Sequence, residues 1–159
     1  MNFNVQRVTQ TGVMIALSVV GAMIKVPAIT GTPALDSLPA FFAAVFLGPW
    51  YGAITGVLGH LATALTAGFP LGPLHLLVAF EMGIVVLVFG RLHQWHKWGA
   101  FFVAFVMNGI LSPLSFVPFL GYGFFTAMVV PLMVATGLNL GLAYVLIHGR
   151  QWVLKQNHA

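Results

Sequence analysis

Two carboxylates, Asp36 and Glu81, are the only acidic side chains among 159 residues, and both stand in strongly apolar surroundings with two of the six histidines, His60 and His75. A charged side chain near the centre of a bilayer costs about 2.5–3.5 kcal/mol on insertion scales, so a glutamate there should face an internal cavity with a partner or a ligand. Glu81 lies near the middle of the apolar run that follows Pro73. At 1.5 Å per residue its carboxyl is expected about 12–14 Å below the surface, at the floor of any outer pocket. The structural alternative is a protonated glutamate bonded to Asn108 or to another helix. Asp36 belongs to the Pro/Gly/Thr-rich stretch VPAITGTPALDS, where it could cap the following helix or touch a ligand. His60 and His75 could join Glu81 on a metal, but they fall on two different helices and show neither His-Glu-x-x-His nor i,i+4 spacing.

Other chemistries are harder to assemble. The chain has no cysteine, which removes disulfides, thiolate catalysis and cysteine-based metal sites. It has no Gly-x-Ser-x-Gly elbow and no phosphate-cradling glycine loop, so no enzymatic reaction class can be built from its residues. A small intramembrane enzyme acting on a lipid or prenyl substrate is the alternative from a different functional class.

The elements that must position these groups follow from composition. The chain is 60% hydrophobic and 5% charged, whereas a soluble domain carries charge on roughly a quarter of its positions. A helical span needs about 20 apolar residues, so the chain has room for six spans in a single all-α membrane domain, residues 1–159. The net charge of +4 comes from scattered basic residues that form no stripe, which argues against nucleic acid.

Taken in order, residues 8–25 form a first, slightly short span, expected to be retained because no small-residue cleavage site follows it. It holds two small-xxx-small pairs, Gly12 with Ala16 and Ser18 with Ala22, which suit either tight internal packing or docking on a partner membrane protein. A loop at 26–37 precedes a short apolar segment at 38–47, which its flanking residues could lengthen into a crossing. Residues 51–67 form a third span containing Gly52, Gly56 and His60. A turn at 68–72 leads to a fourth from Pro73 to Arg91, with His75 near one end. The basic, aromatic stretch HQWHKW suits an interface. Residues 99–117 are a fifth span carrying Asn108, Ser112 and Ser115 at i, i+4 and i+7 as one polar stripe, with Pro113 predicting a kink. A turn at 118–123 precedes a sixth span at 124–147 and a polar tail. Six spans put Arg7, Arg91, Lys97, Arg150 and Lys155 on one side and Lys25 on the other, a bias that places both termini in the cytoplasm.

The run ALDSLPAFFAAVFLGPWYGAITGVLGHL, together with TAGFPLGPLHLLVAFEM and the small-residue face of the first helix, resembles the substrate-binding S component of energy-coupling factor (ECF) vitamin transporters. Within that family it is most similar to the S components assigned to α-ribazole, a benzimidazole nucleoside precursor of cobalamin. The resemblance implies a multi-pass cell-membrane protein with no cofactor and no enzymatic activity of its own. It also implies a vitamin-precursor pocket on the extracellular side, and association with a transmembrane coupling protein and two cytoplasmic ATPases. The family's first-helix Ala-x-x-x-Ala is matched here by Gly12 and Ala16, which become the expected partner-docking pair. For a flat heteroaromatic bearing hydroxyls, the expected substrate-binding residues are Asp36, His75, Glu81, Asn108 and Ser112 as polar groups. Phe69, Phe119 and Tyr122 are expected to stack on the rings, and Phe116 and Phe124 are also available near the outer face.

Overall fold

The computed structural model describes residues 5–29 and 33–156, without the side chains of 151–155. The first four residues, residues 30–32 of the first loop, the side chain of Lys155 and the last three residues of the tail lie outside that description. Six helical rods are present among the described residues. They are α1 (Val5–Gly21), α2 (Leu38–Phe46), α3 (Pro49–Thr66), α4 (His75–His93), α5 (Lys97–Ser115) and α6 (Val117–Gln156). A single 3-10 turn, Gly72–Leu74, leads into α4.

Three of these rods, Gly72–His93, Lys97–Ser115 and Val117–Arg150, are long and apolar enough to cross a membrane on their own. The first three fall short for separate reasons. α1 has 17 residues and opens on polar ones, and α3 is diluted by glycine, threonine and His60. α2 has nine residues, about 13 Å of helix, against a hydrocarbon core of about 30 Å. The sequence places its start and end correctly but cannot make it a full crossing.

Proline and glycine decide the remaining boundaries. Pro49 occupies the first turn of α3, where its missing N–H costs nothing. Lys97 and Trp98 begin α5 rather than extending the loop before it, because the Nδ1 of His96 accepts the Gly99 N–H at 2.9 Å and starts the helix early. Pro113 lacks the N–H that an α-helix would offer Gly109. The turn before it, Met107–Leu111, is accordingly a π-helix, in which the Ser112 N–H reaches back to the Met107 carbonyl. The expected turn at 118–123 shrinks to one residue, Gly121, at φ 76° and ψ 171°, a backbone state that a β-carbon disfavours.

α3 is the central rod, packing on α1, α2 and α4 through small residues. A β-carbon at Gly52 would lie 2.5 Å from Ala44 of α2, and one at Gly59 would lie 2.8 Å from Ser18 of α1. Gly56 meets Met82 and Val86 of α4. The expected Gly52–Gly56 face thus serves two neighbours rather than one. Beyond α3, Phe41 meets Phe89 edge-on at 5.0 Å, and Val86, Ala104, Ala143 and Ile147 complete a fully buried core.

The three arginines collect at one end of the bundle. Arg7 donates to the Leu47 carbonyl at 3.2 Å, Arg91 lies 5.5 Å from the Trp50 ring, and Arg150 lies 4.1 Å from the Phe46 ring. All three wrap the α2–α3 turn. Lys25 stands at the opposite end, where its backbone bridges to Ala34.

Candidate substrate-binding site

The end of the bundle away from the arginines holds a cavity of about 70 Å³ among α3, α4, α5, α6 and the connection before α2. Each rod contributes by its own periodicity. α4 lends His75, Val78 and Met82, at i, i+3 and i+7, and α6 lends Phe124, Met128, Leu132, Thr136 and Asn139 along one face. α5 adds Asn108, Ser112 and Pro113, α3 adds His60, and the connection before α2 adds Asp36.

Of the residues expected from the sequence, Asp36, His75, Asn108 and Ser112 come together on this cavity. Glu81 does not. It precedes Met82 by one residue, and a step of about 100° around the helix turns it onto a shallow groove with Ile84, Met107 and Leu111. There its carboxylate accepts hydrogen bonds from Ser112 and from Ser115, each at 2.5 Å. Asn108 is therefore not its partner; the Asn108 amide donates to Thr136 at 2.8 Å. The π-helical turn explains the split, because its extra residue rotates Asn108 toward α6 while Ser112 and Ser115 stay beside α4.

The aromatic side chains divide in the same way. Phe116 and Phe124 line the cavity, with their ring centroids 5.8 Å apart. Phe119 and Tyr122 point outward, 62% and 72% exposed. Phe69 stands over the cavity's rim, edge-on to His75 at 5.6 Å.

Asp36 is not the cap of α2; the N-cap residue is Ser37. The connection is held by Asn139, a residue that the sequence reading passed over. Its side-chain oxygen accepts the Leu38 N–H at 2.7 Å, and its amide donates to the Ala34 carbonyl at 2.7 Å. One buried side chain thus fixes the backbone on both sides of Asp36. A polar residue inside the last apolar run was the available signal. Burial pushes the Asp36 carboxyl up from 3.8 to about 7, opposed by neighbouring backbone N–H groups and by Lys25.

His60 and His75 form a pair rather than a metal site with Glu81. Nε2 of His60 lies 3.1 Å from Nδ1 of His75, and Nδ1 of His60 faces Asp36 Oδ2 at 3.9 Å. Among the described residues no group of three such side chains is arranged to hold a metal ion.

The two small-residue pairs of α1 also separate. Ser18 and Ala22 are buried, Ser18 against Gly59, whereas Gly12 and Ala16 are exposed and a β-carbon at Gly12 would meet nothing within 4 Å.

A cavity with convergent polar groups and aromatic surface is a candidate small-molecule site, and an exposed small-residue stripe on a membrane helix lets a second helix approach closely. No curated protein and no solved structure matches the chain. The family model for the substrate-specific component of ECF transporters matches residues 6–151, and the chain belongs to that family, whose members are substrate-binding transporter subunits and not enzymes.

Proposed function

We propose that this S component captures α-ribazole, or a closely related benzimidazole nucleoside, in the cavity lined by α3 to α6 and the connection before α2. It then delivers the ligand through the ECF coupling protein and its two ATPases. The observation that carries the reading is the mixed lining of the cavity. Phe116 and Phe124 supply aromatic surface, and Asp36, His60, His75, Asn108 and Thr136 supply hydrogen-bonding groups. A flat base with a ribose needs both. The resemblance of the ALDS, GHL and TAGFPLG segments to α-ribazole S components selects this precursor among vitamin-sized ligands.

The start of α1 and the end of α6 lie at the end where Arg7, Arg91 and Arg150 gather, and we place that end in the cytoplasm by the excess of basic residues there. The cavity then opens to the outside of the cell membrane, and Gly12 and Ala16 face the coupling protein within the bilayer.

The test is mass spectrometry of small molecules released from the purified protein, paired with calorimetric titration of α-ribazole. Release and rebinding of a benzimidazole nucleoside supports the assignment. Release of a thiazole, pyrimidine or pantothenate, with no heat from α-ribazole, would replace it.

A further inference from the structure

The backbone of the 68–72 turn fixes the proton positions of both cavity histidines. The Leu71 N–H donates to Nε2 of His75 at 3.3 Å, so that nitrogen carries a lone pair and the proton of a neutral ring sits on Nδ1. That Nδ1–H points at His60 Nε2, 3.1 Å away. His60 Nε2 must then accept, which leaves its own proton on Nδ1, facing Asp36 Oδ2 at 3.9 Å. Every link is oriented the same way, from Leu71 through His75 and His60 toward Asp36. A metal ion between the two rings is disfavoured by the same argument, because a His75 bound through Nδ1 would carry its proton on Nε2, against the Leu71 N–H.

The last link is too long for a direct hydrogen bond. An N–H donor and a carboxylate acceptor held 3.9 Å apart at a cavity wall can be bridged by one atom that accepts from the first and donates to the second. A hydroxyl does both through its single oxygen, as water does.

We propose that the His60–Asp36 pair is a hydroxyl-reading site, in which one sugar or alcohol hydroxyl of the ligand accepts from His60 Nδ1–H and donates to Asp36. His75 and the Leu71 N–H are positioning groups that hold His60 in the required tautomer, and Asn139 is the positioning residue for Asp36. The site selects a nucleoside over its free base. This deepens the assignment above and rests on it for the choice of probe.

The test is a cycle of ligand and protein changes on the full chain. α-Ribazole and its 2′-, 3′- and 5′-deoxy analogues are titrated into wild type, Asp36→Asn and His60→Gln. In wild type, removal of one particular hydroxyl should weaken binding about tenfold or more. In either variant the same removal should cost almost nothing, since its partner is already gone. Retained wild-type affinity for all three deoxy analogues overturns the hydroxyl-reading site and leaves the α-ribazole assignment standing. So does a hydroxyl whose effect survives in both variants. No heat from α-ribazole itself removes the assignment and this site with it. A second measurement needs neither ligand nor variant. ¹⁵N spectra of histidine-labelled wild type should show neutral Nδ1–H rings at both positions, the less common tautomer in water, and Nε2–H at His75 would overturn the relay.

Discussion

At the scale of single residues, the two carboxylates separate into one that lines the cavity and one that is held by two serines away from it. Asp36 faces the cavity, and burial raises its pKa from 3.8 to about 7. The folded state therefore holds this proton more tightly than the unfolded chain does, and folding loses stability as pH rises from about 4 to about 7. Asp36→Asn cannot ionise. Its apparent thermal midpoint should exceed that of wild type by a few degrees at pH 8, and the gap should close below about pH 3, where the wild-type carboxyl is protonated in both states. A constant gap across this range would show that the carboxyl is solvated. Glu81 behaves differently, because its hydrogen bonds run to Ser112 and Ser115 rather than to the cavity. Glu81→Ala removes an acceptor from two serines and should lower thermal stability. Affinity for α-ribazole should change by less than about threefold, since no ligand contact is lost. A loss of tenfold or more in a folded variant would return Glu81 to the binding site.

At the scale of elements, α1 presents two small-residue pairs in different surroundings. Ser18 and Ala22 are packed inside, while Gly12 and Ala16 lie on the surface. Gly12→Leu adds a side chain into open space, so folding and ligand binding should be retained, while uptake in cells carrying the ECF module should fall to background as close helix approach is lost. Parallel loss of binding and uptake would mean that the face packs within the protein. The spacing alone marked both pairs but could not orient them. What separates them is Gly59 on α3, whose missing side chain admits Ser18. The same limit explains what was legible in the site. Helix number and an irregularity beside Pro113 follow from hydropathy and from proline's missing N–H. The exile of Glu81 does not, because depth along a helix is readable from residue count, whereas facing depends on which side the neighbours occupy. Nor could the pairing of Asn108 with Thr136 be read, since a π-helical turn shifts the polar stripe that ideal α-periodicity draws. Asn139 was visible as a polar residue in an apolar run, but its two backbone partners lie 101 and 105 residues away. Tertiary contacts alone reveal them.

At the scale of the whole molecule, the cavity poses a problem of size. It measures about 70 Å³, while sites for drug-sized ligands run from roughly 300 Å³ upward, so a nucleoside enters only if the walls separate. The rods are poor candidates for that movement, because their core of Phe41, Val86, Phe89 and Ile147 is fully buried and close-packed. The two connections over the cavity are better ones. The stretch before α2 rests on α6 through Asn139, and the 68–72 turn touches the cavity histidines through the Leu71 N–H and Phe69. Phe69 sits at a positive φ of 49° and Gly68 at 79°, and the glycine turn can exchange conformations at low cost. Opening should therefore move the 68–72 turn away from the first loop while the helices keep their packing. The absence of native cysteine makes this directly measurable. Spin labels at Ile29→Cys and Phe69→Cys, both on exposed positions, should give a distance distribution that shifts and narrows when α-ribazole is added. A control pair on the outward faces of α4 and α6, at Phe80→Cys and Val130→Cys, should not move. If the loop pair stays fixed with ligand bound and the control pair separates, the ligand enters by movement of the helices, and the lid assigned to these loops is wrong.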